Sequence, residues 1–402
     1  HHHGRPATGS TQRLTVLDAL RRHADAFRQR HRCDPHRGRI LERLLACRTG
    51  ALGGHVLVCD GCGHKQPVYK SCDNRHCPQC GGARAARWLQ QRAHRMLDVP
   101  HFQVVFTLPS ELRRVAHRNP AVVYPLMARA GASVLADLGE QRLNARLGIT
   151  AVLHTWASNL TLHPHWHMLV TAGGLSLDRQ RWVATRTDFL FAVPVIARMY
   201  RGRVLQGLID AVQSGELDLG DEAADFDRTL RLVSRRHRKW GVHVEAPGER
   251  PVRHALKYLA RYLHRVAISD HRIVAVTDDK VGFRARDAHS DGKQRTFWLE
   301  GSEFVRRFLL HVLPKGLRKV RHYGLYAPGS ASRDLEQARV RLPEPPPPGM
   351  PSDLEAEAIL AACEAAIAAK EAHATRLVCP TCLGALRTEP LPRAAPCARG
   401  PP

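Results

Sequence analysis

The 402-residue chain contains no run of about 18 consecutive apolar residues, so no segment reads as a membrane-spanning helix. It opens on no signal-peptide pattern. His1-His2-His3 reads as the remnant of a purification tag, and residues 1–10 are set aside as tag and disordered lead. No G-x-x-x-x-G-K-[ST] loop occurs, which excludes a P-loop ATPase or helicase. Negative charge is also scarce. Asp and Glu total 37 against 61 Lys and Arg, giving a net charge of +24 and a pI near 10.4. Solubility needs far less, and the excess points to a polyanion as partner. The basic residues recur in separate segments, among them Arg235-Arg236-His237-Arg238-Lys239 and Arg318-Lys319-Val320-Arg321. Eleven cysteines are present, several in C-x-x-C pairs. In a chain without an export signal that pattern implies metal ligation in a reducing, cytoplasmic setting rather than disulfides.

Periodicity predicts helices over 12–47, 83–97, 119–145, 195–213, 224–240, 252–266 and 302–313. Strands are predicted at 102–108, 149–157, 165–171, 272–276 and 296–299. A proline-rich linker follows at 342–351, then an Ala/Glu helix over 353–375 and a tail with Cys379, Cys382 and Cys397. These three cysteines do not complete a four-ligand site, and the tail stays unassigned.

Cys59-x-x-Cys62, fourteen residues, then Cys77-x-x-Cys80 is a zinc-ribbon spacing. Each C-x-x-C supplies two thiolates to one tetrahedron, a closed structural Zn²⁺ site with no open position for chemistry. Cys72 and His76 lie in the intervening loop, and either is a substitute ligand. The helix leading off the site carries Arg84, Arg87, Arg92 and Arg95, which suits DNA contact. A zinc site that merely folds a small domain is the plainer reading.

The segment His163-Pro164-His165-Trp166-His167 carries the sharpest chemistry. On a strand, His165 and His167 share a face while Trp166 points to the other. Two imidazoles so fixed need one more ligand to hold a divalent cation and leave positions for substrate. His154, on the preceding strand, qualifies if it pairs opposite His165 or His167, and fails if it pairs opposite Trp166. His163 is the rival, although Pro164 disfavours regular strand there.

In Tyr258-Leu259-Ala260-Arg261-Tyr262 the two tyrosines lie one helical turn apart on one face, flanked by Lys257 and Arg261. Aromatic packing explains such a pair equally well in isolation. Beside a metal site it becomes a pair of nucleophiles, because a cation on a phosphodiester's non-bridging oxygens makes phosphorus receptive to a phenol. His254 and His264 are nearby candidates for the phenol's proton.

Six features occur in one order over about residues 15–330: Ser71 to Cys80, Phe106-Thr107-Leu108-Pro109, Leu153-His154-Thr155-Trp156, His163 to His167, Tyr258 to Tyr262, and His311-Val312-Leu313-Pro314 leading to Arg321-His322-Tyr323-Gly324. In this the sequence resembles the two-tyrosine HUH (His-hydrophobic-His) rolling-circle transposases of the insertion-sequence-91 family. The resemblance implies an α+β fold, with an HUH-nuclease core whose central antiparallel sheet is flanked by helices and preceded by a helical, zinc-ribbon domain. It implies His165 and His167 as ligands of the catalytic ion and Tyr258 and Tyr262 as nucleophiles. One tyrosine would keep a 5′ phosphate and free a 3′ hydroxyl, and the other would take part in the matching cut or transfer. The expected division is 11–97 zinc and DNA-binding, 98–271 nuclease with its tyrosine helix, 272–341 a strand–helix extension, and 342–402 linker, helix and tail. The expected cofactors are structural Zn²⁺ and catalytic Mg²⁺ or Mn²⁺, and the expected partner is single-stranded DNA at transposon ends together with target DNA. A plasmid replication initiator or relaxase shares this chemistry. A zinc-ribbon DNA-binding protein without catalysis is the alternative of another class.

Overall fold

A computed structural model describes residues 14–81, 95–235, 240–247, 267–286, 293–329, 331–343 and 378–391. Arg84, Arg87, Arg92, Lys257, Tyr258, Arg261, Tyr262 and Cys397 lie outside the described residues. So do the Ala/Glu segment 353–375 and the candidate bases His254 and His264.

The strands are β1 (Gly54–Cys59), β2 (Lys65–Tyr69), β3 (His101–Thr107), β4 (Ala145–Trp156), β5 (Leu162–Ser176), β6 (Trp182–Ala184), β7 (Val242–Glu245), β8 (Ile273–Val276), β9 (Lys280–Arg286), β10 (Gln294–Glu300), β11 (Val320–Gly324) and β12 (Leu386–Pro390). With the helices they make a mixed α+β protein whose strands pair antiparallel throughout.

The largest sheet runs β11-β4-β5-β3-β7, with β6 attached to β5. Alternation along its strands divides its two faces. Phe102, Val104 and Phe106 of β3, Ile149, Ala151 and Leu153 of β4, and Trp166, Met168 and Val170 of β5 all point one way and are buried. The helices Pro120–Leu143 and Val193–Gln213 cover this face. Contact is close: a Cβ at Gly131 would lie 2.8 Å from Met168 Cε and 2.9 Å from Phe106 Cδ2, so glycine sets the helix-to-sheet distance. Among the described residues, Pro120–Leu143 is also the one helix long and apolar enough to cross a membrane, a candidate that a count of uninterrupted apolar runs misses. Here its apolar side chains Val123, Met127, Val134 and Leu138 pack into the core instead.

A second core joins distant parts of the chain. Helix Val16–Arg30 opens on a capping box in which Thr15 and Asp18 satisfy each other's backbone N–H groups. Asp270 Oδ1 takes the Val16 N–H at 2.9 Å. Helix Pro35–Leu45 starts on Asp34 with proline at its first position. Leu17, Leu20, Leu41 and Leu44 from these helices bury against Phe283 of β9 and Phe304 and Phe308 of helix Gly301–Leu310. The sheet β10-β9-β8 flanks them.

The third sheet, β12-β1-β2, was not expected. The tail left unassigned on sequence supplies β12, which pairs with β1 from Cys59↔Leu386 to His55↔Pro390.

Candidate functional site

β5 is central, bonded to β4 on one side and β3 on the other. His154 of β4 pairs directly with His165, and Val152 pairs with His167. That register places His154, His165 and His167 on the sheet face opposite Trp166. The indole is fully buried and donates its Nε1–H to the Tyr124 carbonyl at 3.0 Å, which anchors the histidine-bearing strand to the long helix. Beyond His154 the ladder shifts, and Trp156 resumes opposite Leu162. β5 therefore has one more residue than β4 in this stretch, a bulge. Pro164 lies within it, beyond the last β3 pair at Thr107↔His165, so its missing N–H removes no ladder bond.

The three imidazoles offer ligand nitrogens within 4.8 Å of one another. Ring centroids are 5.4 Å apart for His154 and His165, 4.5 Å for His154 and His167, and 4.8 Å for His165 and His167. His165 Nδ1 lies 2.6 Å from the His163 carbonyl, an oxygen that only accepts, so Nδ1 carries the proton and Nε2 keeps its lone pair. Burial pushes His165 down to about 4 and His167 down to about 2, leaving both neutral, as a metal ligand must be. His154 stacks on Trp156 at 4.7 Å, and Lys319 Nζ lies 5.1 Å from the centroid of that indole.

His163, the rival ligand, is engaged elsewhere. Its Nδ1 accepts from Arg113 Nη2 at 3.1 Å. Arg113 also lines a cleft of about 1000 Å³ between helix Pro35–Leu45, helix Arg113–Arg118 and the 312–315 turn. Six cationic side chains, Arg37, Arg39, Arg113, Arg114, Arg118 and Lys315, face three carboxylates there.

The expected zinc quartet is corrected. Cys59, Cys62, Cys77 and Cys80 do not come together, because the two C-x-x-C pairs fall into separate groups of four. Cys77 and Cys80 join Cys72, the proposed substitute, and Cys47, which follows helix Pro35–Leu45. Sulfur separations there are 3.5 Å for Cys47–Cys80 and 3.7 Å for Cys72–Cys80 and for Cys47–Cys77. All four are buried in the second core, a closed tetrathiolate that suits structural zinc. Hydrogen bonds from Cys72 and Cys77 pull the Cys80 thiol far down, and hydrogen bonds to Cys72 and Cys80, with burial, push Cys77 up. Cys59 and Cys62 join Cys379 and Cys382. His76, the other substitute, is no part of either group: its Nε2 accepts the Leu313 N–H at 3.1 Å. Neighbouring Arg75 donates to the carbonyls of Leu317 at 2.7 Å and Pro314 at 2.9 Å. The zinc loop thus grips the 313–317 turn, which leads into β11 beside the histidine strands.

Residues 148–334 match a family model described as "Putative transposase", and residues 19–108 match one described as "Transposase zinc-binding domain". The first spans His154, His165 and His167, and the second spans the buried cysteine group. "Putative transposase y4qJ" of Sinorhizobium fredii (strain NBRC 101917 / NGR234) is 38% identical over 331 residues, covering 81% of this chain and 83% of that protein. "Transposase for insertion sequence element IS801" of Pseudomonas savastanoi pv. phaseolicola is 26% identical over 303 residues, 71% of this chain and 69% of its own length. No solved structure matches. The zinc-binding and transposase family models matched in this order, with a relative 38% identical over 81% of the chain, place the chain in the insertion-sequence-91 family of transposases.

Proposed function

We propose that the protein is a metal-dependent HUH endonuclease and strand transferase, which nicks single-stranded DNA at insertion-sequence ends and moves it through a 5′-phosphotyrosine bond in rolling-circle transposition. The observation that carries this reading is the trio His154, His165 and His167, set on one face of the central sheet with converging nitrogens. Three imidazoles on two adjacent strands fit a divalent ion and leave its remaining positions for phosphate and water. Mg²⁺ or Mn²⁺ is the working ion in this proposal. When bound, it would polarise the non-bridging oxygens of the scissile phosphate.

The chain's own residues supply the rest. The phenol oxygen of Tyr258 or Tyr262 attacks phosphorus while the bond to the 3′ oxygen breaks. The phenol's proton passes to a base or to solvent, and the departing 3′ oxygen gains one. The phosphotyrosine retains the energy of the original diester, so rejoining to a second 3′ hydroxyl needs no nucleotide cofactor. Lys257 and Arg261 would hold phosphates beside the tyrosines, and Arg84 and Arg87 would extend the contact from the zinc module. The cleft lined by Arg37, Arg39, Arg113 and Lys315 provides a path for the strand, and Arg113 links that path to the histidine strand through His163.

The test incubates the protein with end-labelled single-stranded oligonucleotide carrying an element end, with Mn²⁺ or Mg²⁺, and looks for label on the protein in a denaturing gel. The expected adduct requires metal, disappears in the double variant Tyr258→Phe, Tyr262→Phe, and disappears in His165→Ala. An adduct that survives the loss of both tyrosines rules the mechanism out.

A further inference from the structure

The buried zinc group leaves Cys59 and Cys62 unused, and nothing in the proposed chemistry needs Cys379 or Cys382. The fold nevertheless brings these four together from opposite ends of the chain. Cys59 Sγ lies 3.3 Å from Cys382 Sγ, and Cys62 Sγ lies 3.6 Å from Cys379 Sγ. All four sulfurs fall within 4.8 Å of one another. A tetrahedron with Zn–S bonds of about 2.3 Å has sulfur–sulfur edges of roughly 3.8 Å, so one ion fits among them. All four are free thiols.

The two pairs sit on turns built alike. Cys59 N–H donates to the His64 carbonyl and Gly63 N–H to the Cys59 carbonyl. In the same way Cys379 N–H donates to the Gly384 carbonyl and Leu383 N–H to the Cys379 carbonyl. The residue four after the first cysteine is left-handed in both turns, Gly63 at φ +69° and Leu383 at φ +60°. Leucine is strained there, and Asn or Gly would be the usual occupant, so the turn is held by its surroundings. Thr381 N–H points at Cys379 Sγ from 3.4 Å, a donor suited to a bound thiolate. At Gly384 a Cβ would lie 3.3 Å from Cys382 Sγ and 3.4 Å from Cys59 Sγ, so the missing side chain leaves room for the sulfurs.

Packing alone does not account for this assembly. Among the described residues, the three-stranded sheet β12-β1-β2 encloses only Leu57, Cys59, Cys379 and Leu386, with Val68 against them. A core this small does not usually hold a sheet together without a metal or a cross-link.

We propose that Cys59, Cys62, Cys379 and Cys382 bind a second structural zinc ion, which completes a ribbon from two half-sites and fastens the C-terminal segment to the N-terminal hairpin. This stands independently of the nuclease reading. It also removes the need for β1 and β2 to fold on their own, since their stable form then depends on residues more than 300 positions away.

Zinc content by native mass spectrometry, compared between variants of the full chain, tests the proposal. The difference is read rather than the total, because the histidine site also accepts zinc. Cys379→Ser with Cys382→Ser is expected to remove one ion, and Cys382→His to retain it through an imidazole ligand. An unchanged zinc count in the double serine variant overturns the proposal. Alkylation of the unaltered protein provides an arm that needs no variant. Cys62 and Cys382 are exposed, yet in the zinc-loaded protein both should resist iodoacetamide until a strong chelator is added. Immediate labelling of both in the loaded protein overturns the proposal as well.

Discussion

His154 and His165 stand opposite one another across the β4–β5 ladder, as the last regular pair before the bulge. Their nitrogens converge with that of His167, while His163 turns away to Arg113. Removing one of three ligands leaves two imidazoles and a cavity. His154→Ala should weaken Mn²⁺ binding by on the order of 100-fold and abolish the metal-dependent adduct. His163→Ala should change affinity little, since its ring already serves as acceptor for a guanidinium. Calorimetric titration with Mn²⁺ separates the two, and a larger loss in His163→Ala would reassign the third ligand.

The cleft beside this site makes a second expectation about salt. Arg37 and Arg114 are each paired with a cleft carboxylate, Asp34 and Glu222. Arg39 and Lys315 are exposed residues of the same lining. If the strand runs here, Arg39→Ala and Lys315→Ala should each lower the slope of log affinity against log salt by about 0.7 for single-stranded DNA. Fluorescence anisotropy over a salt series reads that slope. Equal slopes in wild type and both variants would route the strand elsewhere.

The histidine face was legible because strand alternation is a local rule: His165-Trp166-His167 announces two imidazoles on one face and one core indole on the other from three consecutive letters. The register that adds His154 depends on a connection of definite parity, and here the observed pairing falls on one of the two productive alternatives. The cysteines obeyed no such rule. Two C-x-x-C pairs at ribbon spacing look like one site, but nothing local shows that Cys47, 25 residues before Cys72, closes the first group. Nor does anything local show that a tail beyond a proline-rich stretch closes the second. The signals available were a surplus of cysteines over the four assigned and a third C-x-x-C pair, Cys379-Pro380-Thr381-Cys382, in the tail. Short strands such as β7, with four residues, and β11, with five, carry too few alternations to stand out from loops.

His76 tests the same confusion from another side. As a zinc ligand its loss would remove an ion. In the structure it is a buried acceptor for the Leu313 N–H, in the loop that joins the zinc group to the turn before β11. His76→Ala should therefore leave the zinc count unchanged and strand that N–H, at a cost of about 1–3 kcal/mol. Urea unfolding measures the cost, and mass spectrometry of the same sample measures the zinc. Loss of an ion would return His76 to the ligand set.

His101 makes stability depend on pH. It is fully enclosed, its Nδ1–H donates to the Val99 carbonyl at 2.8 Å, and its Nε2 lies 2.8 Å from the Tyr326 hydroxyl. Burial keeps the imidazole neutral, so with its proton on Nδ1 the bare Nε2 accepts from the Tyr326 hydroxyl, whose oxygen accepts the Leu97 N–H at 3.1 Å. Burial pushes its pKa down to about 4 from the ordinary 6.5. Between those values the unfolded chain binds a proton that the native state refuses, so stability falls as pH drops from 6.5 towards 4 and is unaffected by this group above 6.5. The drop amounts to roughly 3 kcal/mol at most. His101→Asn loses the packing and the hydrogen bonds but also the titration. Its deficit relative to wild type should be largest at pH values above 6.5 and shrink by up to that amount near pH 4. Urea midpoints across the range give the comparison. A deficit that stays constant with pH would mean that the native imidazole takes up its proton as readily as the unfolded one. The enclosed site would then have to accept an imidazolium, with Nε2–H donating to the Tyr326 hydroxyl instead of accepting from it.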